Sequence, residues 1–263
     1  MEKYLQDHAE PESLAAEDLP VDEPWRQVIV IPVCNESSGI LSPLPPAPGR
    51  ALMILVVNAP EGAAEPVSAA NEKFAGEVKA RFSLAWQDER HAGLALYRDP
   101  SAQRDVLLVD RFSANRRLPP RGGVGHARKI GADLAARLIH NRQVTSPWIH
   151  CSDADVRLPA RYFGASTALD DDPVRETSAL LYPFSHRFAA DSADSGPMDK
   201  EAAKLLAATR LYEFSLRYYV AGLVRAGSPN AYHTIGSTVA VNAVHYATVR
   251  GYPTRQAPDD YYL

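Results

Sequence analysis

Short runs of β-branched and other apolar residues recur along the chain and end in polar loops. Residues 28–33, 51–58 and 105–110 form such runs, and residues 148–151 form a fourth. Continuous apolar runs of this length are typical of strands that are buried on both faces of a parallel sheet. The pattern therefore predicts four buried strands that deliver polar loops to the edge of one sheet.

Segments with helical spacing of apolar residues lie between and after these strands. Residues 65–82 and 125–140 show this spacing, and the second segment also has a polar face. Residues 199–226 form the longest helical stretch, and its apolar residues are spread around the helix, which favours a core or interfacial helix over an exposed one. The alternation predicts an α/β fold with a mostly parallel sheet flanked by helices in a single domain.

Composition changes this picture at the N-terminus. Residues 1–24 are rich in Asp, Glu, Pro and Ala and lack a periodic apolar pattern, so we expect a flexible or loosely docked N-terminal arm before a domain of residues 25–263. The net charge of −4 gives no global attraction to nucleic acid, so any anion site must come from a local cluster. Two cysteines, no apolar leader and no bilayer-length apolar run predict a cytoplasmic protein without a transmembrane segment, with a peripheral position at a membrane as the alternative.

Two aspartates follow the last of the four predicted strands. Asp153 and Asp155 lie where open α/β sheets bind ligands. Their carboxylates can converge on a divalent cation such as Mg²⁺ or Mn²⁺ and, through it, on a diphosphate, because Mg²⁺ uses only one or two protein carboxylates beside phosphate oxygens. Such pairs also occur in solvated turns, but the position behind a buried strand favours a ligand site.

Glycines and cations surround the start of the helix predicted at 125–140. Gly122, Gly123 and Gly125 precede Arg128 and Lys129. Free backbone N–H groups and the helix dipole favour an anion there, so the segment predicts a phosphate cradle. A flexible loop with a solvated basic helix end is the alternative, and a Walker P-loop is excluded because the Gly-Lys-Ser/Thr ending is missing.

A second acidic pair, Asp259 and Asp260, lies near the end of the chain. A carboxylate at this position could act as general base towards an acceptor hydroxyl, although acidic chain ends are commonly only solvated. Cys34 and Cys151 fall at strand ends, but free cysteine is often a small buried hydrophobe, so we assign them no catalytic role. His233 likewise receives none.

The order of these segments resembles glycosyltransferase family 2, whose members share the GT-A fold. The resemblance covers roughly residues 25–263 and is carried by residues 30–36, 125–131, 151–155, 235–241 and 251–253 with Asp259-Asp260. It implies a nucleotide-binding domain that transfers a glycosyl group from a nucleotide-diphosphate sugar to an acceptor hydroxyl. UDP is the nucleotide expected from the family average.

The resemblance also implies roles for individual residues. Asp155 is implied as the main metal ligand and Asp153 as a second one. Asp260 is implied as the catalytic base of an inverting transfer, and Asp259 as the acidic residue that accompanies it. Contacts with the nucleotide sugar are implied for a wider set: Pro32, Asn35, Glu36, Gly125, Arg128, Asp153, Ala154, Gly236 and Ser237.

Two departures from the family pattern leave alternatives open. Asn58 stands where the family usually has an Asp after the second strand, and the chain stops before a helical region that many members use at the acceptor site. The sequence therefore also fits a truncated chain or a degenerate member that binds a nucleotide without transferring sugar. A haloacid-dehalogenase-type phosphatase, with Asp153 as nucleophile and Asp155 as general acid, is the other alternative, although there the motif normally opens the fold.

Overall fold

The computed structural model describes residues 1–41, 49–88, 93–99, 104–169, 177–186, 199–233, 235 and 239–254. Its strands are β1 (Gln27–Val33), β2 (Ala51–Asn58), β3 (Ser83–Gln87), β4 (Leu94–Asp99), β5 (Arg104–Arg111), β6 (Trp148–Cys151), β7 (Ala179–Leu181) and β8 (Val239–Asn242). Its α-helices are α1 (Glu2–Asp7), α2 (Glu65–Arg81), α3 (Val124–His140), α4 (Gly164–Thr167), α5 (Lys200–Arg225) and α6 (Ala243–Thr248). Two 3-10 helices span Pro11–Glu17 and Ser38–Leu41.

The described strands form one sheet in the order β3-β4-β5-β2-β1-β6-β8-β7. The four central strands β5, β2, β1 and β6 are parallel, and these are the four strands that the apolar runs predict. The outer pairings, β3 with β4, β4 with β5, β6 with β8 and β7 with β8, are antiparallel. The predicted α/β class with a helix-flanked sheet is confirmed, but the sheet is mixed, since three of its seven described pairings are parallel and four are antiparallel.

Two apolar cores lie on opposite faces of the sheet. Alternate residues of β1 point to opposite faces, so Val28 and Val30 pack in the core beneath α3, whereas Ile29 and Ile31 pack in the core beneath α2. Every residue of β1 and β2 is buried, as expected for central parallel strands. The predicted helices at 65–82 and 125–140 are α2 and α3.

The backbone of α3 lies directly against the sheet at Gly131. A Cβ atom at this position would stand 2.3 Å from Cγ1 of Val30 and 3.1 Å from Cγ2 of Val56. Only a residue without a side chain permits this approach. The close packing fixes the middle of α3 against β1 and β2.

Of the two possibilities for residues 1–24, a flexible arm and a docked one, the structure shows a docked segment. Both α1 and the 3-10 helix at Pro11–Glu17 pack on α3 and bury Tyr4, Leu5, Ala15 and Ala16. Composition misleads here because a few well-placed apolar side chains suffice to anchor a segment whose other residues are polar.

A buried polar cluster holds this N-terminal segment to α3. The Asp133 carboxylate, which has no exposed surface, accepts hydrogen bonds from Tyr4 Oη at 2.5 Å and from Tyr246 Oη at 2.8 Å. It also accepts from Lys129 Nζ at 2.6 Å and from the Glu10 amide at 2.9 Å. Four donors from three parts of the chain therefore meet on one carboxylate.

The longest helix, α5, follows the predicted boundaries but not the predicted burial. None of its residues is buried, so a core position is wrong for this helix. Leu211, Phe214 and Tyr218 are 68%, 64% and 73% exposed. Within the described chain, no helix combines the length and the apolar character that crossing a bilayer requires.

Candidate functional site

A cleft of about 600 Å³ opens at the carboxyl edge of the parallel strands. The loops that follow β1, β2 and β6 form its walls together with the start of α3. Because β1 lies between β2 and β6, the chain order reverses at β1, and open α/β sheets bind ligands at such a switch point. The volume also falls within the ~300–1,000 Å³ that is usual for small-molecule sites.

The cleft brings together six of the residues that the sequence predicts for the site. They are Pro32, Glu36, Arg128, Asp153, Ala154 and Asp155. Gly122 and Gly123 of the predicted phosphate cradle also line the cleft, together with five residues to which the sequence assigns no ligand contact: Cys34, Asn58, Pro60, Val124 and Ile235. Four predicted residues, Gly236, Ser237, Asp259 and Asp260, lie outside the described residues.

Three carboxylates give one side of the cleft a negative charge. Burial raises the pKa of Glu36, and the charges of Asp155 and Asp153 raise it further. Asp155 is exposed and has no ion-pair partner among the described residues, whereas Asp153 is half-buried. A cation would relieve the mutual repulsion of these groups.

The cleft also contains a buried arginine. The Arg128 guanidinium donates from Nη2 to Oδ1 of Asp153 at 2.8 Å, and its side chain is only 4% exposed. It lies over the ring of Tyr252, with 5.9 Å between Cζ and the ring centroid. Tyr252 in turn donates from Oη to Cys151 Sγ at 3.2 Å. Tyr252 therefore packs beneath the site and links it to the end of β6, a role that its sequence position alone did not indicate.

The start of α3 provides backbone donors to the same cleft. Gly123 is the N-cap residue and no side chain caps the helix, so the amides of the first turn lack a side-chain acceptor. Gly122, Gly123 and Val124 line the cleft at this point. The helix has 17 residues and its dipole favours an anion here, as the predicted phosphate cradle requires.

Only part of the predicted cradle faces the cleft. Lys129 points into the N-terminal cluster, where Nζ donates to Asp133, to Tyr4 Oη and to the His8 carbonyl. Gly125 is buried in the first turn and is not a lining residue. Of the two neighbouring cations, Arg128 is therefore the one that can meet a bound anion.

An amide network fixes the loops after β1 and β2. Asn58 Nδ2 donates to the carbonyls of Val33 and Val56 at 3.0 and 3.1 Å. Asn71 Nδ2 donates to the Asn58 carbonyl at 2.8 Å, and its Oδ1 accepts from the Asn35 amide at 2.9 Å. Both N–H groups of the Asn58 side chain are thus engaged, which leaves Oδ1 as the atom that can bind a ligand. Asn35 supports the wall through its backbone and is not a lining residue.

Cys34 lines the cleft but is poorly suited to act as a nucleophile. Burial raises the pKa of its thiol, and the charge of Glu36 raises it further, so the protonated thiol is favoured. Cys34 and Cys151 are both free thiols. The chemistry of the cleft therefore resides in its carboxylates, its arginine and its backbone amides.

The carboxylates fit a metal ion that is shared with a ligand. Among the residues described, no three His, Cys, Asp or Glu side chains form a group that could hold a metal ion alone. Asp155 offers an unpaired carboxylate, and Asp153 has one oxygen engaged by Arg128. Mg²⁺ bound mainly through phosphate oxygens needs only one or two such carboxylates, so the fit requires a phosphate-containing ligand.

Comparison with known proteins identifies no relative: no family model, no curated protein and no solved structure matches this chain. The interpretation of the cleft therefore depends on its own geometry and charge. Three carboxylates, the start of a helix and one buried arginine line the same cleft. This arrangement suits a ligand that carries both an anionic group and a bound cation.

Proposed function

We propose that this chain is a metal-dependent glycosyltransferase with a GT-A-like fold. It transfers a hexosyl group from a nucleotide-diphosphate sugar to an acceptor hydroxyl. The observation that carries the proposal is that Asp153 and Asp155 line the same cleft as the uncapped start of α3. A diphosphate with its divalent cation matches both features, because the cation meets the carboxylates and the phosphate oxygens meet the amides and Arg128.

The protein groups act on the charge of the departing nucleotide. Cleavage of the bond to the sugar leaves negative charge on the diphosphate, and preorganised donors at that position stabilise it. The first-turn amides of α3 and the Arg128 guanidinium are these donors. Arg128 is held in place by Asp153 and by the Tyr252 ring, so little reorganisation accompanies the reaction.

Asp155 and Asp153 would hold the metal ion. A bound Mg²⁺ or Mn²⁺ adds positive charge at the diphosphate. Asp155 contributes the free carboxylate, and Asp153 contributes the oxygen that is not bonded to Arg128. The carboxyl ends of β1 and β2, with Pro32 and Asn58, and the loop residue Glu36 would then surround the nucleoside.

The acceptor side of the reaction rests on the sequence. Asp260 takes the proton from the acceptor hydroxyl in an inverting transfer, with Asp259 beside it. Both residues lie outside the described residues, and the resemblance to glycosyltransferase family 2 supports their assignment.

Calorimetric titration of UDP and GDP, with and without Mn²⁺, tests the donor site. We expect binding that requires the metal, is lost in Asp155→Ala and is retained in Glu61→Gln, which removes a nearby carboxylate outside the cleft lining. Equal affinity in Asp155→Ala, or affinity independent of metal, would overturn the proposal. Metal-dependent binding without hydrolysis or transfer of the sugar would indicate a degenerate binding protein, and phosphate release from simple phosphomonoesters would indicate the phosphatase.

A further inference from the structure

The charge of α5 is opposite in sign to that of the rest of the chain. The helix carries five Lys or Arg and two Glu, which gives it a net charge of +3. Because the whole chain has a net charge of −4, the residues outside α5 carry −7. None of the residues of α5 is buried. The helix is therefore an exposed basic element on an otherwise acidic protein.

One side of α5 is held by the rest of the molecule. Glu213 accepts a hydrogen bond from the backbone N of His186 at 3.0 Å, and Arg217 donates to the Phe184 carbonyl at 2.6 Å. The half-buried residues of the helix lie three or four positions apart, which places them on one inner face. They are Leu206, Thr209, Glu213, Leu216, Val220 and Leu223.

The opposite side of the helix is its outer face. At 100° per residue, ten residues lie within about 50° of the centre of this face: Lys200, Ala203, Lys204, Ala207, Leu211, Phe214, Tyr218, Ala221, Gly222 and Arg225. All ten are exposed and none of them is acidic. Leu211, Phe214 and Tyr218 form the apolar centre of the face, and the rings of Phe214 and Tyr218 stack with 6.1 Å between their centroids. Three cations lie beyond this centre, Lys200 and Lys204 at one end and Arg225 at the other.

We propose that the outer face of α5 binds the surface of a lipid bilayer that contains anionic phospholipid. The helix lies in the plane of the surface. Its apolar centre enters between the headgroups, and its three cations meet the lipid phosphates. Helices that lie in a bilayer interface combine aromatic and leucine side chains with Lys and Arg in this way, and apolar burial and electrostatic attraction together set their affinity.

Charge complementarity favours an anionic bilayer over a second copy of the chain. Both ends of the outer face are basic, so two outer faces packed on each other bring cations together in either orientation: Lys200 meets Lys200 in a parallel pair and Arg225 in an antiparallel one. An anionic surface attracts all three cations at once. It also repels the acidic remainder of the chain, so the charge distribution orients the molecule with α5 towards the lipid.

The apolar centre favours a bilayer over a polyanion such as nucleic acid. Phosphate contacts provide most of the nonspecific affinity for nucleic acid, and they require cations along the whole contact. Lys204 and Arg225 are about 30 Å apart along the helix axis, and the apolar centre lies between them. A bilayer surface accommodates both features, because its phosphates lie beside an apolar interior.

Vesicle flotation of the full chain tests the proposal. We expect the protein to float with vesicles of phosphatidylcholine that contain phosphatidylserine, and to float much less with phosphatidylcholine alone. Added salt should weaken the binding as the screening length falls below about 10 Å. The assay contains no nucleotide or metal ion, so its result is independent of the proposed donor site.

Two pairs of variants separate the outer face from the rest of the surface. The double change Lys200→Gln with Lys204→Gln should weaken binding at least about fivefold, the effect of one cation, since Glu201 already pairs with Lys204. The double change Lys73→Gln with Lys79→Gln removes the same charge from exposed positions of α2 and should leave binding unchanged.

The second pair tests the apolar centre. Phe214→Ser should weaken binding on the order of tenfold, whereas Leu84→Ser, on the exposed strand β3, should not weaken it. Because α5 contributes no buried residue, its variants should retain the wild-type unfolding temperature, which distinguishes a lost contact from a lost fold.

Three results would overturn the proposal. The first is absence of binding to the phosphatidylserine vesicles, or equal binding to both kinds of vesicle. The second is equal loss of binding in the α2 variant and in the α5 variant, which would indicate an effect of the charge of the whole chain. The third is a dimer in sedimentation equilibrium that Phe214→Ser dissociates, which would show that a second copy covers the outer face.

Discussion

Replacement of Asp133 by Asn tests whether the N-terminal segment is an integral part of the fold. The substitution keeps the shape of the side chain but removes the charge that accepts four hydrogen bonds. The Lys129 ammonium, which is only 8% exposed, then loses its carboxylate partner. Tyr4, Tyr246 and the Glu10 amide face a group that has gained two N–H donors and retains one acceptor oxygen.

The expected loss follows from these contacts. Removing one partner of a buried ion pair costs about 3–5 kcal/mol, because the remaining charge is left uncompensated. Loss of one hydrogen bond to a charged acceptor costs about 1.5–3 kcal/mol, which is the expectation for Tyr4→Phe. Burial and the charge of Asp133 raise the pKa of Tyr4, so its hydroxyl remains a donor at ordinary pH. Asp133→Asn should therefore destabilise the protein more than Tyr4→Phe does.

Urea unfolding followed by circular dichroism measures these differences in the free energy of unfolding. Asp7→Asn, an exposed change in the same segment, is the matched control and should stay within about 0.5 kcal/mol of wild type. Asp133→Leu combined with Lys129→Met should cost less than Asp133→Leu alone, because both charges leave the interior together. A loss below about 1 kcal/mol for Asp133→Asn would refute this account of the cluster.

Two further substitutions test the core. Gly131→Ala should destabilise the protein by about 1–3 kcal/mol, because its Cβ would overlap Val30. Gly76→Ala on α2, where nothing lies within 4 Å, should instead raise the unfolding temperature, and equal effects of the two changes would contradict the close packing of α3. Burial lowers the pKa of His150 to about 3, so below about pH 6.5 the unfolded chain binds a proton that the folded chain does not. The unfolding free energy of wild type should thus fall relative to His150→Phe by up to about 1.4 kcal/mol per pH unit between about pH 6.5 and 4.5, and a constant difference would refute this.

Part of the site could be predicted from the sequence because a buried strand and the loop that follows it are recognisable from local patterns. A continuous apolar run such as residues 148–151 predicts a central strand. The residues that follow such a strand must emerge at the edge of the sheet. Asp153 and Asp155 are therefore found in the cleft. Their link to Arg128 and the support from Tyr252 could not be predicted, because these residues come together only when α3 and the loop after α6 pack at that edge.

Adjacent residues on α3 show most directly what the sequence leaves open. Arg128 and Lys129 are alike in charge, yet one faces the cleft and the other the N-terminal cluster, because successive helical residues point about 100° apart. Which side meets the ligand depends on the face that α3 packs on the sheet, and Gly131 sets that approach.

The sequence by itself determined the central parallel strands and the helices between them, because long apolar runs and helical spacing have few stable alternatives in water. Tertiary structure alone decided whether the polar N-terminus and α5 pack against the rest of the fold. Residues 1–24 dock because Asp133 accepts their hydrogen bonds and the apolar face of α3 packs against them. No comparable surface buries α5 within the described chain. The periodicity of apolar residues indicates which side chains are suited to burial, but only the packed fold determines whether a partner surface is present.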